Sequence, residues 1–266
     1  MLRRVAIPAL LTSGAVLAAC AGGHAASSGQ THSGTSAARI AGTSAAGVAG
    51  TSRAHARGSS AASARARAFA AAVNLRAADV PGFARSRARA PKRESASERN
   101  LEREFHRCAG GLDSGSPVAE AGSPTYERKV GLLNAGVSSS VTVERTAAAA
   151  ARSLQALHSS HIRGCLSHVL ELLFKGQRLA GAKVGAVSVR YGTPPAPGTA
   201  GGYGLRVKTT VTVRRVPIPF YLDVLGFVDG PAQVSLQASS IAAPLPAQLE
   251  EHLFTLLLER AKAHAA

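Results

Sequence analysis

The stretch "HSSHIRGCLSH" puts His158, His161 and His168 around Cys165. Imidazole nitrogen and thiolate sulfur are the ligands that zinc takes in tetrahedral sites, and copper accepts both. His106 beside Cys108 makes a second His/Cys pair. The order H-x2-H-x3-C-x2-H matches no closed zinc motif, however. Ligands on one continuous helix cover a single side of an ion, so a metal would need a break in that helix, for which Gly164 is the candidate. The plainer reading makes the three histidines polar residues on a helix surface and leaves Cys165 free for another bond. No metal and no cofactor are therefore expected.

Nucleophile and acid–base patterns are equally sparse. There is no G-x-S-x-G elbow, no S-x-x-K pair and no H-E-x-x-H. Asp113 and Ser114 in "GLDSGSP" sit in a Gly-rich turn, where a lone serine is normally part of the turn. Glu250 and Glu251 stand early in a helical stretch, where carboxylates meet the positive end of the helix dipole. "GTPPAPGTAGGYG" is Gly-rich but lacks the lysine of a phosphate loop, and it reads as a mobile hairpin loop. No catalytic residue is assigned and catalysis is not expected. The rival is a secreted hydrolase with an unrecognised site, which turnover lost in Ser114→Ala would favour.

The elements that carry these residues can be read from periodicity. "SASERNLEREFHRCAGG" places Leu101, Phe105 and Cys108 on one helical face between a Ser cap and a Gly stop. "TYERKVGLLNAGVSSSVTVER" reads as two strands joined at Asn134-Ala135-Gly136. "TAAAAARSLQALHSSH" is a helix by propensity. "CLSHVLELLFKG" continues it with Leu166, Val169, Leu170 and Leu173 on one side and Gly176 as a stop. "AVSVRY" and "YGLRVKTTVTVRRV" alternate, the second with one wet face. Asp229-Gly230 joins two further strands as a hairpin. The last helix carries a stripe of Leu249, Leu253, Leu256 and Leu257. The sum is an α+β domain with an antiparallel sheet of about five to six strands packed against helices.

The chain has 266 residues and a formal net charge of +16, with no tryptophan. The charge is spread along the chain, without a basic block or interleaved aromatics that would stack bases. Nucleic acid is not an expected partner. Residues 1–67 contain arginines and no acid. "MLRR" is a basic start, and "VAIPALLTSGAVLAA" is an apolar run too short for a comfortable membrane span. Leu17-Ala18-Ala19-Cys20 resembles the bacterial lipobox, in which the chain is cut before the cysteine and its thiol is acylated. That resemblance implies a signal peptide at 1–19 and lipidation at Cys20. Residues 20–67 then form an Ala/Gly/Ser/Arg tether too poor in large apolar side chains to fold. As a coil it would span roughly 35–40 Å. Its arginines suit anionic lipid or wall polymer. The folded domain is expected at 68–266. In an exported chain the two remaining cysteines, Cys108 and Cys165, are expected to pair.

"NLRAADVPGF" at 74–83 is similar to the opening of many actinobacterial envelope lipoproteins. Cys108, "SPTYE" from Ser123, "VSSSVTVERTAAAAARSLQAL", Cys165-Leu166 and "VPIPFYLDVLGFVDGPAQVSLQ" follow in that family's order. The set resembles the extracellular sensor-like domains of mycobacterial serine/threonine kinases and related lipoproteins. Those sensor domains carry two disulfides, whereas two cysteines follow Cys20 here, enough for one. The resemblance implies a ligand-binding or sensing domain on the outer face of the bacterial cytoplasmic membrane. It also places a cysteine at Cys165. A small apolar ligand between sheet and helices is one expected partner. A structural protein that holds anionic wall polymer is the other non-enzymatic alternative.

Overall fold

The computed structural model describes residues 51–86, 96–109, 117–130, 133–176, 182–213 and 215–264. The signal segment, Cys20, most of the tether, Asp113 and Ser114 lie outside these residues. Helix α1 spans Thr51–Val73, and a 3-10 turn follows at Ala77–Asp79. Strand β1 is Ala84–Arg85, helix α2 Ala96–Ala109, then β2 Ala119–Gly122, β3 Tyr126–Val130 and β4 Leu133–Val143. Helices α3 (Ala147–His158) and α4 (Ser160–Gly176) come next. They are followed by β5 Ala182–Val184, β6 Ser188–Gly192, β7 Gly201–Val213, β8 Val216–Asp229 and β9 Ala232–Ile241. Helix α5, Ala247–His264, ends the described chain.

The strands form one antiparallel sheet in the order β1-β3-β4-β9-β8-β7-β5. β2 and β3 share one edge of β4, and β5 and β6 share one edge of β7. The expected α+β class with an antiparallel sheet is present. The additional strands are β1, β2 and β5, of two to four residues each, too short to show a period of two. The hairpin at Asp229-Gly230 is where the sequence puts it: Asp229 pairs with Ala232, and Gly230 takes φ +53. The other hairpin differs. Val130 pairs with Leu133, so Asn134, Ala135 and Gly136 lie inside β4 and not in a turn. Gly136 is in the strand because Ser239 Oγ crosses it; a Cβ there would stand 3.2 Å from that atom.

Helices cover both faces of the sheet. On one face α1 and α5 bury Ala70, Val73, Leu253 and Leu257 against Val141, Val234 and Phe227. On the other, α4 sets Leu170 and Phe174 against Val207, Leu222 and Val224, while α3 seats Leu154 on Val228. Burial on both faces explains why β8 reads as a nearly continuous apolar run, whereas β9 alternates Ala232, Val234 and Leu236 with Gln233, Ser235 and Gln237. β7 keeps its wet face at Arg206 and Lys208.

The helix α1 reaches back to Thr51, and Ala66 is in the core. The expected tether therefore gives up its last residues, 51–67, to this helix. Large apolar side chains are not required here: alanine has the highest helix propensity, and Ala66 and Ala70 pack closely because they are small. The break between α3 and α4 falls at Ser159, whose Oγ donates to the Ala156 carbonyl at 2.8 Å and accepts from the Ile162 N–H at 3.2 Å. Gly164 does not break the helix; it lies inside α4 with open space around it.

Candidate functional site

Cys165 and Cys108 form a disulfide, with Cα atoms 5.6 Å apart and a sequence separation of 57. The bond staples α2 to α4. Around it Leu101 and Phe105 of α2 pack on Ile162, Leu166 and Val169 of α4. The histidines do not converge on that sulfur. His158 ends α3 and accepts at Nδ1 from Arg163 at 3.2 Å. A guanidinium only donates, so Nε2 carries the proton, which it gives to the Gly202 carbonyl at 3.1 Å. His161 is exposed, and His168 lies 3.9 Å from Glu104 on the surface. His106 is carried by α2. Among the described residues no group of three His, Cys, Asp or Glu side chains is placed to hold a metal ion.

His158 instead holds the start of β7, where the Gly-rich loop enters it. That loop is not loose. Ala200 N–H donates to the Val228 carbonyl at 2.9 Å, and Gly202 lies under Pro194 closely enough to exclude any Cβ. Tyr203 then crosses Gly226 of β8, its hydroxyl accepting from Gln233 Nε2 at 3.1 Å. A methyl at Gly226 would overlap the Tyr203 ring. Gly226→Ala is expected to cost about 1–3 kcal/mol by forcing that ring aside. Urea unfolding of the variant checks this, and an unchanged midpoint would show that the ring has room to move.

Tyr203 and Gln233 border a polar region that the sequence did not signal as a site. Residues paired across strands point to the same face. On the α3/α4 face, Ser138 of β4 lies beside Gln237 of β9, Ser140 beside Ser235, and Thr142 beside Gln233. On β7 and β8 the same face is apolar and covered by α4. The principal helix contact of β4 is α1, on the opposite face. Beside the α4 layer the α3/α4 face carries a floor of hydroxyls and amides, in which Thr142 and Gln237 are buried and Ser138, Ser140, Gln233 and Ser235 are half-buried. Ser140 and Ser235 share a hydrogen bond of 2.8 Å. Asn134, on the same face of β4, is 9% exposed, and its Oδ1 is buried without a hydrogen-bond partner. A buried acceptor left unmatched costs free energy that a bound donor recovers.

A second polar group lies on the α1/α5 face. Arg206 of β7 donates from Nε to Asp223 Oδ1 at 2.5 Å and from its terminal nitrogen to Glu250 Oε2 at 3.1 Å. Both carboxylates are buried, whereas about half of the Arg206 side chain is exposed. Glu250 is thus more than an acid at a helix start: it is packed against Asp223, an acid from the middle of an apolar strand. At the far end of α5, Arg260 grips Asp79 through two bonds of 2.7 Å, and Asp79 Oδ2 also accepts from the Arg76 N–H at 2.6 Å. Burial alone would raise the Asp79 pKa. The Arg260 and Arg76 bonds outweigh it and hold the carboxyl below its usual range.

Fold and site together define an α+β domain in which an antiparallel sheet lies between helix layers, with a hydrophilic floor left on one face. No protein-family model matches the chain, and no curated protein matches it. Among solved structures, the extracellular domain of PknH from Mycobacterium tuberculosis overlaps 59% of this chain and 70% of that chain, at 11% identity and a TM-score of 0.30. Likeness at that level establishes neither fold nor function for this chain. Among the described residues no helix is long and apolar enough to cross a membrane.

Proposed function

We propose that this chain is a lipid-anchored envelope protein whose folded domain binds a polar ligand outside the cytoplasmic membrane. The anchor reading rests on the short apolar leader and Leu17-Ala18-Ala19-Cys20. In it, residues 1–19 are removed, Cys20 carries the lipid, and the arginine-bearing tether lies near anionic lipid or wall polymer. Acyl chains add about 0.8 kcal/mol of membrane affinity per buried CH2.

The binding reading rests on one observation: the hydroxyl and amide floor on β4 and β9, with the unmatched Oδ1 of Asn134 on the same face. A core built only for stability would place apolar side chains there, as β7 and β8 do. The floor favours a ligand that exchanges hydrogen bonds over the apolar ligand expected from the sequence. Binding, not turnover, is the function proposed.

The test has two arms. Labelling with a palmitate analogue should mark the wild-type protein and not Cys20→Ala; equal labelling removes the anchor. Native mass spectrometry of the domain, after exposure to a complete envelope extract, should show a non-covalent adduct that Ser138→Val/Ser235→Val loses. A domain that emerges with no adduct, or an adduct that the double variant retains, removes the binding site.

A further inference from the structure

The Asp223–Glu250–Arg206 group lies on the sheet face opposite the polar floor and takes no part in the binding reading. Its geometry is unusual for a structural ion pair. Two buried carboxylates meet a single guanidinium, which leaves one negative charge without a partner if both are ionised. Glu250 Oε2 is occupied by Arg206, while Glu250 Oε1 is buried and receives no donor. A proton on Glu250 would turn its carboxyl into a donor, and the Asp223 carboxylate lies within its hydrogen-bonding reach.

We propose that a proton held between Glu250 and Asp223 beneath Arg206 latches the first turn of α5, and that its release loosens that turn from the sheet. Among the described residues of the elements packed around it, no other charged group offsets the extra negative charge. On β7, Lys208 turns to the Tyr221 ring of β8 at 5.7 Å. On β9 the neighbouring positions of that face are Ala238 and Ser240. From α1, Ala66, Phe69 and Ala70 join the cluster that α5 buries, while Arg65 and Arg67 are exposed. On α5 itself, Glu251 and His252 are exposed. Loss of the proton therefore puts two like charges side by side under one cation, at the point where α5 meets β8.

Burial, followed by the Asp223 charge, pushes the Glu250 carboxyl from its ordinary 4.5 up to about 8, against the pull of Arg206. A raised pKa means that the folded state keeps a proton the unfolded state has released. The stabilisation is complete below the ordinary value, declines as pH rises, and is gone above the folded value. The folding equilibrium falls by up to about tenfold per pH unit across that window.

Carboxyl carbon-13 NMR on the intact domain tests this without any variant. One side-chain carboxyl should titrate near pH 8, and hydrogen exchange at the first turn of α5, corrected for its intrinsic rate, should accelerate through the same range. In Glu250→Gln, which keeps a neutral donor for Asp223, the high titration should vanish and the exchange should stay slow. In Arg206→Gln, which removes the cation that both carboxylates share, the midpoint should move higher. If every carboxyl titrates below pH 5, or if the turn loosens equally in Glu250→Gln, the latch does not exist.

Discussion

Replacing both cysteines, as Cys108→Ser/Cys165→Ser, is expected to destabilise the domain by about 4 kcal/mol, the entropy-model figure for a closed loop of this length. The 57-position loop contains β2, β3, β4 and α3, so the bond restrains a large share of the unfolded chain. Its effect in the folded state is local. α2 is fastened to α4 by Leu101 and Phe105 and by the disulfide, and the core clusters of the sheet do not include it. Loss of the bond should free α2 first and expose Ile162, Leu166 and Val169. Guanidinium unfolding, with and without a phosphine reductant, measures the total cost. Limited proteolysis should then cut within residues 96–109 before any site in the sheet. An unchanged midpoint, or first cleavage elsewhere, would count against the staple.

The second large effect is expected at Asp79. Asp79→Asn should cost about 3 kcal/mol, the lower end of what breaking a buried ion pair costs. The residue is 9% exposed on its side chain, and Arg260 donates two of its bonds while also donating to the Asn74 carbonyl at 3.2 Å. Asparagine keeps the size of the side chain but loses the charge and one of its two acceptors. The pH dependence separates charge from packing. Because the folded pKa of Asp79 lies below its ordinary value, the stabilisation is present above that ordinary value and fades as pH falls through the folded one. The gap between wild type and Asp79→Asn in urea midpoint should therefore be wide at pH 7 and narrow toward pH 3. A gap of constant width would falsify the ionic account.

The Asp79 contact also explains why "NLRAADVPGF" is a compact signature. Asn74 donates to the carbonyls of Ala70 and Ala121, its Oδ1 accepts from Ser139 Oγ at 2.7 Å, and Leu75 and Val80 enter the core. Asp79 receives Arg260, and Gly82 turns the chain at φ +80 toward β1. Each position has a separate task, and local sequence shows most of them as turn and cap chemistry. What local sequence does not show is the partner: Arg260 lies at the other end of the domain.

That division holds throughout. Helices α2 to α5 and the β8–β9 hairpin were legible because their signals are local: a period near 3.6, a Ser or Thr cap, Asp-Gly between alternating runs. The start of α1 was not, because Ala and Arg in "SSAASARARAF" carry propensity but no stripe. The pairing of Cys108 with Cys165 followed from the cysteine number of a chain expected to be exported. The carboxylate group was missed because it joins β7, β8 and α5. The one available sign was Asp223 alone in "FYLDVLGF", an acid where an apolar residue was due. The floor was missed for a related reason. Ser138 and Ser140 look like one wet strand face, and only the register against β9 brings the glutamines beside them.

The short outer strands of the sheet bear on how many copies can share a surface. Each margin is made of pieces: β1 has two residues and β5 three, and Asn74, just after α1, occupies the Ala121 carbonyl of β2. Where β3 runs past β1, it offers Arg128 and Lys129. A long, even border would invite a neighbour's strand to extend the sheet from one molecule to the next. Interrupted and charged borders deny that growth. Among the described residues, then, the sheet's margins are suited to copies that stay separate when crowded, without polymerising into fibres.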